Sequence, residues 1–315
     1  MSKRSTSVEG ALECPEFDLR KTLESGQTFH WVPQDDGYVG CIGSTPLFVR
    51  QNGNLLHYRG SDPELPCLLH HYFAFDHDLR VIRESCAHHN ISHKASLACR
   101  GLRIMRQPHW ECLASFILSP MKQVAHIKQM SLALRQTYGD KLAGFPIPAF
   151  PKASVLASAS EAGLRSCGLG FRAGNLLRTA RLVHEGKFDP VALTSLSTSE
   201  ARMALCSLPG IGRKVANCIL LFAYERLEAV PVDVWIGRIL TSFSSQKALG
   251  STPEKLERYG EKLLGPYAGY IQQYLFHQAR TGNLRLPKIA TRTPKSPAPA
   301  TPPAPVASLR KIAVA

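Results

Sequence analysis

The chain contains no run of 18 apolar residues, so no part of it reads as a membrane-spanning helix. It contains no Cys-x-x-Cys pair; nine cysteines are scattered from Cys14 to Cys218. An odd, irregular set of this kind reads as reduced thiols in an intracellular protein, with no metal site. A signal-peptide core is missing, because Met1–Glu13 is polar. No internal repeat is visible. From Leu284 onward acidic residues are absent, while six cations (Arg285, Lys288, Arg292, Lys295, Arg310 and Lys311) stand among proline, alanine and threonine.

What is present is positive charge. The net charge is +14 and the isoelectric point about 9.5. Removing the six cations of the tail leaves +8, so the folded part is basic in its own right. A polyanion or an anionic membrane surface is the implied partner. With 315 residues, 44% of them hydrophobic, the chain is long enough for one large or two moderate domains.

Taken in order, 1–13 reads as a flexible arm. Phe17–Leu23 fits a short strand or a helical turn. Three β-like runs follow, Tyr38–Ile42, Leu47–Gln51 and Leu55–Tyr58, separated by Ser44-Thr45-Pro46 and by Asn52-Gly53, a hairpin signal. Asp62-Pro63-Glu64 caps a helix through Leu69 and Tyr72. From about Ile104 the period becomes helical, with Trp110, Leu113, Phe116 and Ile117 on one face, ended by Pro120. Further helices are expected at Val124–Tyr138, Lys152–Ala157, Ser160–Cys167, Arg172–Glu185, Ser199–Cys206 and Gly212–Tyr224. Asp233 starts another, and Pro253–Thr281 holds one or two more. The expected fold is α+β: an antiparallel sheet domain with helices over 14–103, an all-helical domain over 104–283, and a disordered basic tail over 284–315.

One stretch concentrates chemistry, Leu205–Gly237. In Leu208-Pro209-Gly210-Ile211-Gly212, two glycines let the backbone turn tightly between helices. They leave amide N–H groups free at the next helix start, where the helix dipole favours a phosphate; Ile211 plugs the hairpin. Lys214 follows one turn into a helix that is apolar elsewhere. Taken alone it fits a solvated surface lysine. Partly buried beside Arg213, its pKa falls and it becomes an amine nucleophile. Asp233, 19 residues on, arrives at a helix start at the end of an apolar run. It fits an N-cap, and a rigidly capped carboxylate can also stabilise a developing cation.

The stretch resembles the helix-hairpin-helix, Gly/Pro loop and aspartate of base-excision DNA glycosylases, and the lysine marks their bifunctional branch. Within that superfamily the chain is similar to the eukaryotic-type 8-oxoguanine DNA glycosylases, from about Cys14 to Ala279. Ser25-Gly26-Gln27-Thr28-Phe29-His30-Trp31 is similar to the subfamily's SGQ-x-F-x-W, which implies that the Gly26 carbonyl reads the hydrogen on N7 of the oxidised base. Gly168-Leu169-Gly170-Phe171-Arg172-Ala173 resembles its GLG-aromatic-R-A loop, implying that Phe171 wedges the duplex and Arg172 contacts the unpaired base. Gly265-Pro266-Tyr267-Ala268-Gly269 resembles its GPYAGW, which implies that Gln272 reads the Watson–Crick edge and Phe276 stacks on one face, with Cys218 covering the other. The resemblance further implies a flipped base, attack by Lys214 on the sugar, Asp233 offsetting its positive charge, and β-elimination. No cofactor is expected. The implied partner is double-stranded DNA containing an oxidised purine, 8-oxoguanine and by family also ring-opened purines. A monomer is expected, in the cytoplasm at the nucleoid in a bacterium or in the nucleus of a eukaryote.

The pattern departs in two places. The subfamily's asparagine-rich turn and following arginine are here Ser119-Pro120-Met121-Lys122-Gln123 and His126. Met121 can still fill the gap as a wedge, but contacts to an opposite cytosine are thinned, which predicts weak discrimination of the opposite base. Trp235 stands where histidine is usual, and Ala279 where its acidic partner is usual; His277 reads as a surface histidine. Two enzyme readings compete. A thymine-glycol or mismatched-adenine glycosylase would carry an iron–sulfur cluster, and no cysteine follows Cys218. An alkylbase glycosylase would lack Lys214. A non-catalytic helix-hairpin-helix DNA-binding protein would not need a lysine and aspartate at this spacing.

Overall fold

The computed structural model describes residues 7–243 and 252–284. Its strands are β1 (Val8–Glu13), β2 (Val32–Gln34), β3 (Gly37–Ile42), β4 (Thr45–Asn52) and β5 (Leu55–Gly60), in one antiparallel sheet of order β1-β5-β4-β3-β2. The flexible arm expected over 1–13 is corrected at Val8–Glu13, which pairs along the free edge of β5. Its alternation of half-buried and exposed residues is a strand period in a polar segment, easily missed. The β3–β4 turn falls at Gly43-Ser44, earlier than expected, with Gly43 at φ +61° and Pro46 inside the strand opposite Cys41. The tail lies outside the described residues.

One face of the sheet packs on α1 (Leu19–Glu24) and α2 (Leu65–Tyr72). Trp31, Leu47, Val49, Leu56, Leu69 and Tyr72 form this core. Asp18 caps α1 through Lys21 N–H at 2.8 Å. The sequence reading places no helix between Tyr72 and Ile104, yet α3 (Leu79–Ser85) and α4 (Asn90–Ala98) stand there. Their Leu79, Ile82 and Ala95 join the core of the helical part, so residue 104 is not where packing divides.

That larger core is built from α5 (His109–Ile117), α6 (Val124–Tyr138), α7 (Ala153–Ala157), α8 (Glu161–Leu164), α9 (Arg172–His184), α10 (Thr198–Cys206), α11 (Arg213–Ala223), α12 (Val234–Phe243), α13 (Pro253–Leu264) and α14 (Ala268–Arg280). The start of α10 is fixed by a capping box between Ser197 and Glu200, an arrangement worth about 1 kcal/mol. A buried network ties the two parts together. His30 Nε2 lies 2.7 Å from the Cys41 carbonyl and Nδ1 3.1 Å from Glu111, whose carboxylate pairs with buried Arg135. Burial, the largest single influence, would raise the Glu111 pKa; the charges and hydrogen bonds of Arg135 and His30 together outweigh it and hold the carboxyl at about 2.

Candidate active site

The helical hairpin forms because α10 and α11 are joined by Ser207–Gly212, with Leu208 and Ile211 buried beneath the turn. Gly210 is required twice over. Its φ is +78°, and a Cβ there would stand 2.2 Å from the Asn175 side chain. Gly212 is the N-cap of α11, exposed, with open space about it and no side chain over the first amides. The turn thus offers free N–H groups at the positive end of a helix, an anion-binding geometry.

Lys214 and Cys218 lie one turn apart on α11, and Asp233 comes to the same slot from the loop before α12. Lys214 is half-buried, whereas every residue from Val215 to Ala223 is buried. Asp233 is the expected N-cap: its Oδ1 accepts the Ile236 N–H at 2.8 Å, and its carbonyl accepts Gly237 N–H at 2.8 Å. Burial lifts the Asp233 pKa; the backbone amides and the Lys214 charge offset this only in part. Burial likewise raises the Cys218 pKa, with Lys214 opposing, so the side chain is a neutral thiol at neutral pH. Arg213, the cation beside the lysine in sequence, is paired with an acid. Its guanidinium is committed to Glu257 at 2.7 and 2.9 Å.

A second network holds Asp233 in position. Asn217 Nδ2 donates to the Val230 carbonyl at 3.1 Å, while Arg202 Nε donates to Asn217 Oδ1 at 2.7 Å and Arg202 Nη2 to Glu261 at 2.6 Å. The loop carrying Asp233 is therefore tethered three residues before it. Gly269 lets α14 approach the same loop: its N–H donates to the Leu227 carbonyl at 2.7 Å, and a Cβ would stand 2.9 Å from that oxygen.

Gly26 lies on the far wall of the slot, with Cys218, Gln272 and Phe276. Its φ of +91° suits glycine, and a Cβ would sit 3.0 Å from Val124 and 3.4 Å from Phe276. Its loop is pinned on every side. Gln27 Nε2 donates to the Arg103 carbonyl at 2.8 Å, its Oε1 accepts Met105 N–H at 2.9 Å, and Gln107 donates to the Gln27 carbonyl at 2.7 Å. Gln273 of α14 donates to the Ser25 carbonyl at 3.2 Å. Gln272 is buried, and among the described residues nothing pairs with its Oε1. An unpaired buried amide oxygen costs roughly 1–3 kcal/mol, which a polar ligand edge would recover. The slot has a volume of about 40 Å³, enough for water-sized molecules only, and opens into a groove of about 690 Å³. Phe276 lines the slot close to Gly26, and the slot as it stands is too small for a purine.

The two wedge candidates are open to solvent: Met121 is 91% exposed at φ +57° and Phe171 59% exposed. Met121 lines the groove. Arg172 differs from expectation. It is buried, donates through Nε and Nη2 to the Pro120 carbonyl, and stacks on Phe171 with its guanidinium carbon 4.3 Å from the ring centroid. It therefore clasps one wedge loop to the other, and reaching an unpaired base requires breaking that clasp. One turn of π-helix, Arg165–Leu169, with Gly168 at φ +83°, precedes that loop. His126 is exposed on the first turn of α6, away from those bonds. His277 is not a surface residue: it is buried, among the described residues nothing pairs with its Nδ1, and burial followed by the Arg280 charge lowers its pKa.

The expected residues of the pair and the base slot thus converge from four segments. Sequence reasoning missed the side chains that hold them, Gln27, Gln273, Asn217, Arg202 and Glu257. The first three sit inside or beside the motifs, which was their only signal.

Comparison with known proteins identifies the family. Residues 11–113 match the model of the 8-oxoguanine DNA glycosylase N-terminal domain, and residues 114–266 that of the HhH-GPD superfamily of base excision DNA repair proteins. The chain is 30% identical over 283 residues to N-glycosylase/DNA lyase OGG1 of Arabidopsis thaliana, covering 83% of this chain and 77% of that protein. It is 29% identical over 259 residues to N-glycosylase/DNA lyase of Saccharomyces cerevisiae, covering 73% and 69%. The Clostridium acetobutylicum 8-oxoguanine glycosylase/lyase, solved with double-stranded DNA containing cytosine opposite 8-oxoguanine, superposes with a TM-score of 0.80. There the identity is 27%, covering 87% of this chain and 99% of that one.

Proposed function

The chain belongs to the 8-oxoguanine DNA glycosylases of the HhH-GPD base-excision repair superfamily, and from that premise we propose how its own residues excise the base and nick the strand. It is an N-glycosylase and AP lyase acting on DNA. The observation that carries the assignment of roles is the slot itself, where a lysine, a half-buried aspartate, a thiol, an orphaned amide and an aromatic ring meet.

The oxidised base leaves the duplex, with Met121 and Phe171 filling the gap, and enters between Cys218 and Phe276. The Gly26 carbonyl accepts the N7 hydrogen that guanine lacks, and Gln272 pairs with the Watson–Crick edge. The Lys214 amine attacks C1′ as the glycosidic bond breaks, and the bonding pair leaves with the base. Asp233 stabilises the positive charge that builds on the sugar. The adduct opens to a Schiff base, which loses a C2′ proton and expels the 3′ phosphate. Backbone amides at Gly210 and Gly212 grip a neighbouring phosphate. Action as a monomer and a place in bacterial cytoplasm or a eukaryotic nucleus belong to the same reading. Among the described residues no helix is long and apolar enough to cross a membrane.

Incubation with an 8-oxoguanine duplex and borohydride tests this reading. A covalent complex of wild-type protein and DNA is expected, and its absence would refute the lysine mechanism. The thinned opposite strand face gives a second expectation. With Arg172 clasped to Pro120 and no arginine at His126, excision rates opposite C, A, G and T should fall within about tenfold of one another, as for one lost hydrogen-bonding partner. A strict preference for cytosine in a four-duplex panel would contradict it.

A further inference from the structure

Among the described residues, three exposed large hydrophobic side chains, Met121, Val234 and Trp235, line the groove that also holds Lys214 and Asp233. Met121 belongs to a wedge loop. Trp235 has no such role. It is the second residue of α12, two beyond Asp233, and 38% exposed. Phe171 and Trp235 are the exposed aromatics among the described residues, and only Phe171 is accounted for.

Arg238, one turn further along α12, lies over the indole at 5.9 Å from guanidinium carbon to centroid. It braces the ring and places a cation beside an apolar face. Lys122 and Lys214 line the same groove. When a base occupies the slot with its C1′ at Lys214, the strand on one side of that nucleotide must cross the groove mouth. A strand there presents phosphates, which the cations suit, and apolar sugar faces and base edges, which an indole suits.

Resting on the glycosylase reading above, we infer that Trp235 is a positioning residue for the damaged strand. Its indole packs against the sugar and base edge of the nucleotide flanking the flipped one. Fixing that nucleotide holds the C1′ of its neighbour over Lys214. The contact is apolar and makes no phosphate bond.

The test uses the full chain and a duplex containing a tetrahydrofuran abasic analogue. Trp235→Ala should raise Kd about tenfold or more, the range for losing one nucleotide–aromatic contact. The slope of log Kd against log salt should match wild type, whereas losing a phosphate contact would lower it by about one. Single-turnover excision at saturating protein should fall by about tenfold as C1′ loses its placement over Lys214, and Trp235→Phe should restore most of both the affinity and the rate. Trp31 is buried and Trp110 half-buried, so quenching of tryptophan emission on binding should be lost in Trp235→Phe. Unchanged affinity in Trp235→Ala, a lowered salt slope, or quenching that persists in Trp235→Phe would overturn the inference. If wild-type protein fails to trap with borohydride, the glycosylase reading is what fails. If it traps and Trp235→Ala binds as tightly, only the role of Trp235 fails.

Discussion

Lys214→Gln is expected to abolish the borohydride-trapped complex and to slow base release by on the order of 10³-fold or more, with duplex affinity changed by less than about tenfold. The separation follows from where the groups stand. Lys214 is half-buried on the wall of the slot, whereas the exposed amides of Gly210 and Gly212 lie at the turn before it. Removing the amine removes the nucleophile and leaves the phosphate grip intact. Glutamine is one atom shorter but keeps most of the packing of the lysine stem, so the hairpin core around Val215 and Ile219 should be undisturbed. Gel-shift affinity and single-turnover rates measured on the same preparation check both halves. A variant that still excises within tenfold of wild type would remove the lysine from the mechanism.

Asp233→Asn should slow base release by roughly 10²–10³-fold, the usual cost of losing one electrostatic contact to a charge that exists only in the transition state. The same substitution should make the protein more stable at neutral pH. Burial raises the Asp233 pKa in the folded state. A raised carboxyl contributes stability fully below its unfolded value and loses it as pH rises through the folded value. At pH 7 the wild-type protein therefore carries the cost of an ionised, poorly solvated carboxylate. Asparagine carries none and still caps α12. Thermal unfolding should show a higher midpoint for the variant at pH 7, with the gap closing as pH falls toward the ordinary carboxylate range. A lower midpoint at pH 7 would mean that the Lys214–Asp233 attraction outweighs desolvation. For the same reason wild-type base release should rise with pH as Asp233 ionises.

The helical half was legible because its periods are long and clean: α6 and α11 lie within a residue of their expected limits. The chemistry was legible because Lys214, Asp233 and Gly26 sit in contiguous motifs. Weaker signals failed. β1 is six residues with a glycine at its third position, and α3 and α4 are short and rich in polar residues. Such segments take their structure from what they pack against, which no local pattern encodes. The same holds for Arg172, whose side chain can face a nucleic acid or a carbonyl 52 residues away. Nor could spacing reveal that the slot is too small for a base in the free protein.

The bond from Gln273 to the Ser25 carbonyl spans 248 residues of sequence. It joins the loop that presents Gly26 to the last described helix. The amine and its aspartate, by contrast, are complete within 20 residues. Damage discrimination is thus the last feature of the protein to be assembled, and the cutting apparatus the most local. A nascent or clipped chain lacking α14 would have neither Gln272 nor a fixed Gly26, and so no pocket in which to receive a base. On the proposed reading the topology acts as an interlock: the lysine is presented with no lesion base until the chain has folded far enough to form the pocket.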